Sequence, residues 1–191
     1  MQKKYLYIIT IAYACAIFAQ GVFTPIYAFF VQNIGGGILE TAWAISLFSI
    51  VTGITAMVIH HTKWSHRYRN ECLWVGWLIW VFGLALYFYM QSFYMLFVSQ
   101  ALTGFGNALS EPAFDAEFSE QVAADPSGGW SIFEGVTNIF YGVAAFLGGI
   151  IAKKFGFEVL IYFMVATAII SFCCIIWYLY VGKKRMIRTR S

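Results

Sequence analysis

The sequence contains little charge. Of its 191 residues, 11% are charged and 61% are apolar, and its mean hydropathy is +0.72. A soluble domain carries about 25% charged residues, because its surface must be covered with polar groups. The shortage of charge therefore excludes an ordinary soluble domain. Proline is also scarce, with three residues, so little of the chain is barred from forming helix.

Motifs typical of enzymes and metal sites are missing as well. The sequence has no G-x-S-x-G, no H-E-x-x-H and no pair of aspartates within an apolar run, so we predict that the protein is not an enzyme. Its four cysteines lack metal-ligand spacing and are expected to be small, buried apolar residues. His60, His61 and His66 have no second cluster to complete a site. We therefore predict no metal and no other cofactor.

The sequence consists mainly of long apolar runs. A helix of about 20 residues crosses the ~30 Å hydrocarbon core of a bilayer, and six runs have that length. We predict an all-α integral membrane protein, with one six-helix transmembrane domain over 1–191 that ends in a basic tail at 183–191. The first run is too long for a cleavable signal and is expected to remain as a span. Predicted spans 1 to 6 cover 5–32, 41–61, 71–91, 93–113, 130–152 and 157–182.

The distribution of Lys and Arg predicts the orientation. With six spans, both termini and the loops 62–70 and 114–129 lie on one side, together with ten of the twelve basic residues. The positive-inside rule places that side in the cytoplasm, and the protein in a cell (cytoplasmic or inner) membrane. The net charge of +3 is then a topology signal, and no nucleic-acid partner is predicted. The opposite side holds Lys153 and Lys154.

The six predicted spans divide into two similar triplets. Repeat 1 covers about 5–91 and repeat 2 about 93–182, with a cytoplasmic connection at about 114–129 that contains the helix breakers of DPSGG. Spans 3 and 6 carry few polar groups, whereas the other four hold the amides, hydroxyls and small residues. We expect spans 3 and 6 to face lipid. Repeats with an odd number of spans are necessarily inverted, which is a common transporter plan.

Polar side chains recur on one face of three predicted spans. In span 4 they stand at i, i+3, i+7 and i+11, from Gln100 to Glu111. Spans 1 and 5 carry similar stripes at overlapping depths, which favours a water-accessible cavity. Alternatively, these groups bond one another across dry helix contacts. The candidate cavity residues are Gln20, Thr24, Gln100, Thr103, Asn107, Asn138 and Tyr141.

Small residues follow a second pattern. A nucleotide-binding loop needs a strand before its glycines and a helix that begins at them, but here helix continues on both sides. We therefore interpret the glycines as sites of close helix packing, and we expect spans 4 and 5 to pack against each other through them. The residues assigned to this packing are Gly104, Gly106, Ala108, Gly135, Gly142 and Gly149.

Acidic residues cluster where span 4 ends. Glu111 and Asp115 share a helix face, and Glu134 begins the polar stripe of span 5. Arg67 and Arg69 lie in a loop on the same side of the membrane. An ion-pair latch between this loop and the end of span 4 would be weak, at about 0–1 kcal/mol for exposed pairs, and therefore suited to a gate. We predict a gating or coupling role for these five residues; the alternative is that the acids are merely solvated.

One of these motifs resembles a known family. Gln100-x-x-x-Gly104-x-Gly106-x-Ala108 is similar to the span 4 motif R-x-x-x-G-x-G-x-A of the major facilitator superfamily, with Gln100 in place of Arg. The resemblance implies the fold of that family's amino-terminal half, with spans 3 and 6 outermost. The family's loop signature falls on His61 to Asn70 but is matched convincingly only at Arg69. Its span 5 Gly-Pro is replaced by Ala144-Ala145. We therefore carry over fold and class, and not the solute or coupling ion.

A six-span half leaves its polar faces open on one side, which is costly in lipid. Two copies with the same orientation around a two-fold axis would cover them. Our hypothesis is a half-size transporter that moves a small-molecule solute by alternating access as a parallel homodimer within the lipid bilayer. The alternatives are a half that pairs with a second, different half-transporter chain, or a non-transporting subunit, scaffold or sensor of the same fold.

Overall fold

The computed structural model describes residues 2–62 and 67–188, and the side chains of 5–62 and 67–181. His66, Lys63 and the last residues of the predicted tail lie outside this part. The described residues form helices without any strand. The helices are α1 (Gln2–Phe23), α2 (Tyr27–Asn33), α3 (Ile38–His61), α4 (Arg69–Ala85), α5 (Phe93–Gln121) and α6 (Pro126–Arg188), with short 3-10 turns at Thr24–Ile26 and Leu86–Tyr89.

Helix α6 is broken near its middle by Gly156. This residue has φ 82° and ψ 176°, a conformation that glycine adopts without the penalty that other residues meet. The break falls between predicted spans 5 and 6. We call the two parts α6N (126–155) and α6C (157–188).

A second interruption falls at Pro25. Proline has no backbone N–H, and its ring clashes with the carbonyl one turn earlier, so the sequence predicts a kink in span 1. This prediction is confirmed, because α1 ends at Phe23 and a 3-10 turn over Thr24–Ile26 connects it to α2. Pro112, in contrast, lies within α5 without ending it.

Within the part of the chain that the structure describes, four stretches are long and apolar enough to cross a membrane: Tyr5–Asn33, Ile38–His61, Arg69–Tyr89 and Pro126–Val181. The last has 56 residues, more than twice what one crossing needs, and contains the break at Gly156. Helix α5 is less apolar, because Gln100, Asn107 and several acids lie along it. The chain is therefore an all-helical membrane protein. Its six spans and inverted repeats stay predictions.

The helices are held together by apolar packing and by buried hydrogen bonds, which include a chain through Ser171. Helix α1 packs along α6, α4 packs against α5 and α6, and α3 packs against α5. In the core, the indole of Trp77 donates to Ser171 Oγ at 2.9 Å, and Ser171 donates to the carbonyl oxygen of Ala12 at 2.6 Å. This chain joins α4, α6C and α1 with each buried polar group paired.

Burial differs strongly between helices. In α3, 11% of the apolar window is buried inside the chain, against 50% in α4. We expected α4, as span 3, to face lipid. Half of its window is buried instead, because Gly76 and Gly83 allow α5 to approach closely. Large apolar side chains are exposed along α3 and α6N: Ile38, Leu39, Trp43, Ile50, Ile54, Met57, Ile132, Ile139, Val143 and Phe146.

Two of the glycines assigned to helix packing do form close contacts. A Cβ on Gly106 would lie 2.6 Å from the carbonyl oxygen of Gly76, so α4 touches α5 here. A Cβ on Gly104 would lie 2.7 Å from the carbonyl oxygen of Phe48 in α3. Ala108, on the same helix, is 1% exposed. Helix α5 therefore packs through its small residues against α3 and α4.

The remaining three glycines correct the sequence analysis. A Cβ on Gly135, Gly142 or Gly149 would meet no atom within 4 Å, so the prediction that they pack against span 4 is wrong. Helix α6N contacts α1 through a different face, where Gly148 lies against the backbone of Val22. Successive residues turn by about 100° around a helix. The buried stripe and the glycine stripe therefore point in different directions.

Candidate functional site

A cavity of about 320 Å³ lies among the helices on the side of the α2–α3 connection. Its polar wall contains Gln20 and Thr24 at the end of α1, and Gln100 and Thr103 in α5. These four belong to the set that the sequence predicts to face a cavity. Apolar and aromatic side chains form the rest of the wall: Phe23, Tyr27, Ile45, Phe48, Trp80, Leu84, Tyr87 and Met164.

The amide of Gln100 is the centre of this cavity's polar contacts. Its Nε2 donates to Tyr27 Oη at 2.9 Å and to Tyr87 Oη at 3.0 Å. Both amide protons are used in this way, which leaves the carbonyl oxygen as the acceptor available to a solute. Tyr87 is 4% exposed, so the packing of the core fixes its position.

Tyr87 lines the cavity and contacts Gln100, which the sequence analysis does not predict. It lies at the end of predicted span 3, which the sequence indicates to be lipid-facing because it carries no polar groups beyond indoles and phenols. A usable signal was present, because a phenol at the end of an apolar span has one apolar part and one polar tip. The 3-10 turn Leu86–Tyr89 carries its ring to the cavity wall.

The two threonines of the wall are satisfied within their own chain segments. Thr24 donates to the carbonyl oxygen of Gln20 at 2.8 Å, and Thr103 donates to that of Ser99 at 2.8 Å. Such bonds to the preceding turn are common for threonine in helices. They let each hydroxyl stand at an apolar wall without an unpaired proton.

A second, smaller cavity of about 30 Å³ shares Gln20 and Trp80 with the first. Asn107 and Glu111 lie on its wall, where Asn107 Nδ2 donates to Glu111 Oε2 at 2.7 Å. Its volume is enough for about one water. Tyr13 borders it, and an aromatic cluster begins there, with ring centroids 4.4 Å apart for Tyr13 and Phe114.

Two predicted cavity residues lie elsewhere. Asn138 and Tyr141 line neither cavity and are exposed on α6N. Asn138 donates to the backbone carbonyl of Glu134 at 2.8 Å, and Glu134 is exposed beside it. In the single chain these three residues form a polar stripe on the outer face of α6N.

An ion pair joins the start of α4 to the end of α5. Arg69 Nε lies 2.8 Å from Glu117 Oε1, and Arg69 Nη1 lies 2.6 Å from Glu120 Oε1. Tyr178 of α6C donates to the other oxygen of Glu117 at 2.7 Å. The predicted acids Glu111 and Asp115 are not its partners, since Glu117 and Glu120 share the helix face turned toward Arg69.

Arg67 has a different contact. Its guanidinium lies 5.5 Å from the ring centroid of Tyr68, within the range of a cation–π interaction. Asp115 is exposed on α5. Of the five residues to which the sequence analysis gives a gating or coupling role, Arg69 is therefore the one that the structure places in an ion pair between helices.

Comparison with known proteins now decides the family. The sequence profile of the Major Facilitator Superfamily matches residues 9–191, almost the whole chain. The chain belongs to the Major Facilitator Superfamily. The resemblance seen at Gln100 to Ala108 is thereby confirmed, and the family is one of membrane transporters. No curated protein matches the chain.

Within this Major Facilitator Superfamily chain, the position of the family's span 4 arginine holds a neutral amide. Gln100 stands between two phenols, and none of the described residues that line the cavity around it carries a charge. Among the described residues, no group of three His, Cys, Asp or Glu side chains could hold a metal ion. The wall of this cavity thus consists of neutral hydrogen-bonding groups and aromatic and apolar surface.

Proposed function

We propose that this Major Facilitator Superfamily chain moves a small solute by alternating access through the cavity around Gln100, as a parallel homodimer. The observation that carries the proposal is a cavity of about 320 Å³ with one amide at its polar centre. Cavities of about 300–1,000 Å³ with few polar groups are typical of small-molecule sites. Family membership supports transport, and the cavity supplies a place for a solute.

The proposal includes six membrane crossings in two inverted repeats. Helices α1 and α2 together would form the first crossing, and α4 with its 3-10 turn would form the third. The other four crossings would be α3, α5, α6N and α6C. The length of α6 and its break at Gly156 support counting it twice. The excess of Lys and Arg on the side of the termini supports a cytoplasmic location for both ends in a cell membrane.

The dimer would bring together the faces that one chain leaves uncovered. Helix α3 packs on α5 and α6N packs on α1, so α3 and α6N stand on either side of these two central helices. The polar stripe of Glu134, Asn138 and Tyr141 on α6N would be costly against hydrocarbon. A two-fold rotation about the membrane normal places α3 of one copy opposite α6N of the other.

The glycine stripe of α6N is consistent with this interface. Gly135, Gly142 and Gly149 meet nothing inside the chain. Small residues at such spacing permit close approach of a second helix in a bilayer, where packing and hydrogen bonds drive association. The stripe would thus serve contact between copies instead of contact with α5.

Cysteine crosslinking in membranes tests the dimer. In a variant with the four native cysteines replaced by alanine, we introduce Ser49→Cys on α3 and Gly142→Cys on α6N, both near mid-depth. Oxidation is expected to give a band at twice 21.6 kDa. A matched pair on other helices, Leu78→Cys with Trp177→Cys, should stay monomeric. A lack of dimer in the first pair, or equal dimer in both, would contradict the interface.

Solute flux tests transport itself. The purified full chain is reconstituted and screened for uptake of small solutes, with and without a proton gradient. Uptake above empty liposomes that requires the crosslinkable dimer supports the proposal. Crosslinks to a chain of another mass would favour a half that pairs with a different partner, and a well-formed dimer without flux would favour a scaffold or sensor.

A further inference from the structure

No charged side chain stands among the described residues that line the cavity around Gln100. We infer that its solute is uncharged and largely apolar; for transport this inference rests on the function proposed above. The inference starts from the wall, in which eight of twelve residues are apolar or aromatic and the other four are amides or hydroxyls.

The hydrogen bonds at the centre limit what the wall can recognise. Gln100 Nε2 is already bonded to Tyr27 and Tyr87, and the hydroxyls of Thr24 and Thr103 donate to backbone carbonyls. The groups left for a solute are neutral donors and acceptors, among them the carbonyl oxygen of Gln100 and the side-chain amide of Gln20. Uncharged hydroxyl, amide or carbonyl groups of a solute match partners of this kind.

The aromatic side chains supply the remaining contact surface. The ring centroids of Phe23 and Tyr87 are 5.0 Å apart, and those of Phe23 and Tyr27 are 5.8 Å apart, so one edge of the wall is a packed aromatic surface. Phe48 and Trp80 extend this surface along α3 and α4. Aromatic faces bind flat or aliphatic groups by burial of apolar area.

The acid that lines the neighbouring small cavity does not change this conclusion. Glu111 lines the smaller cavity and not the larger one, and its carboxylate accepts a hydrogen bond from Asn107 at 2.7 Å. Bringing an unpaired charge into an apolar site costs far more than bringing a neutral polar group. An ionic solute would find no countercharge on the described wall of the larger cavity, whereas a neutral solute needs none.

Charge-selective labelling of the cavity tests the inference without knowledge of the natural solute. In the cysteine-free variant, a reporter thiol is placed on the wall by Thr24→Cys, and in a second variant by Gln20→Cys. The control is Gln91→Cys in the turn between α4 and α5. Each is treated in proteoliposomes with methanethiosulfonates of three charges: hydroxyethyl (neutral), sulfonatoethyl (anionic) and trimethylammonioethyl (cationic).

For each reagent, the reaction rate at the wall thiol is divided by its rate at the Gln91→Cys control. We expect this ratio to be about tenfold higher for the neutral reagent than for either charged reagent, at both wall positions. A factor of ten corresponds to about 1.4 kcal/mol. Equal normalised rates, or preference for one ion, would overturn the inference about solute class and leave transport standing. No reaction of either wall thiol with any reagent would show a closed cavity, and would contradict both this inference and the proposed function. Thermal unfolding of each variant confirms that it is folded.

Discussion

Gly76 and Gly106 face each other across the contact between α4 and α5, so that a methyl group on either would lie 2.6 Å from the other's carbonyl oxygen. Real carbon–oxygen contacts are longer than this, so neither position accepts a larger residue without movement of a helix. Trp80, which lines the cavity around Gln100, lies at the same contact. Packing of these two helices and the shape of the cavity are therefore coupled.

The first prediction concerns this contact. Gly106→Ala should lower the free energy of unfolding by about 1–3 kcal/mol, because overpacking forces the helices apart. The measurement is thermal unfolding of purified protein in detergent. Gly135→Ala is the matched control when the monomeric fraction is measured, since within one chain it adds the same methyl group in open space; there alanine should be neutral or stabilise the helix by up to about 1 kcal/mol. Equal melting temperatures for the two variants would refute the packing.

A second prediction concerns the buried chain from Trp77 through Ser171 to Ala12. Ser171→Ala leaves the indole N–H of Trp77 without an acceptor in the core, at a cost of about 1–3 kcal/mol. Ser131→Ala is the control, because its exposed hydroxyl bonds only to Ser127 of its own helix and should change stability by less than about 0.5 kcal/mol. Chemical unfolding in mixed micelles gives both values. A Ser171 variant as stable as the control would contradict this role.

The third prediction separates the two acids that bind Arg69. Glu117 is 9% exposed and also accepts the hydroxyl of Tyr178, whereas Glu120 is exposed. Glu120→Gln should change stability by about 0–1 kcal/mol. Glu117→Gln should lower the free energy of unfolding by more, because removing one partner of a buried ion pair leaves the other charge uncompensated. Melting temperatures of the two variants provide the comparison, and a larger loss for Glu120→Gln would reverse our assignment.

The fourth prediction addresses the cavity. Gln100→Leu removes the amide that donates to the hydroxyls of Tyr27 and Tyr87. Flux through the reconstituted protein should therefore fall roughly tenfold or more, which corresponds to about 1.4 kcal/mol of lost interaction with the solute. Gln91→Leu makes the same change in a turn outside both cavities and should transport normally. If both variants carry the solute equally well, Gln100 has no part in its binding.

Some features of this fold can be predicted from the sequence because each depends on the chemistry of a single residue or short motif. Pro25 ends α1 through the missing N–H, and the span 4 glycines mark close helix contacts. The resemblance of Gln100 to Ala108 leads to the correct family. In each case the residue's own chemistry constrains the backbone, so no knowledge of distant neighbours is needed.

Other features depend on which faces meet, and a single sequence does not specify that. The glycines of α6N show a regular spacing, but spacing alone does not identify their neighbour. Tyr87 is recognised as a cavity residue only once the 3-10 turn aims its ring. Arg69 could reach several acids, and the rotation of α5 selects Glu117 and Glu120.

The single-residue joint at Gly156 has a mechanical consequence. Because α6N and α6C share no flexible linker, there is no slack between them, and a tilt of α6N displaces the beginning of α6C directly. Far along α6C, Tyr178 holds the carboxylate that also binds Arg69. Movement of α6N, the helix that we propose contacts a second copy, would thus be transmitted through α6C to the ion pair of Arg69 and Glu117.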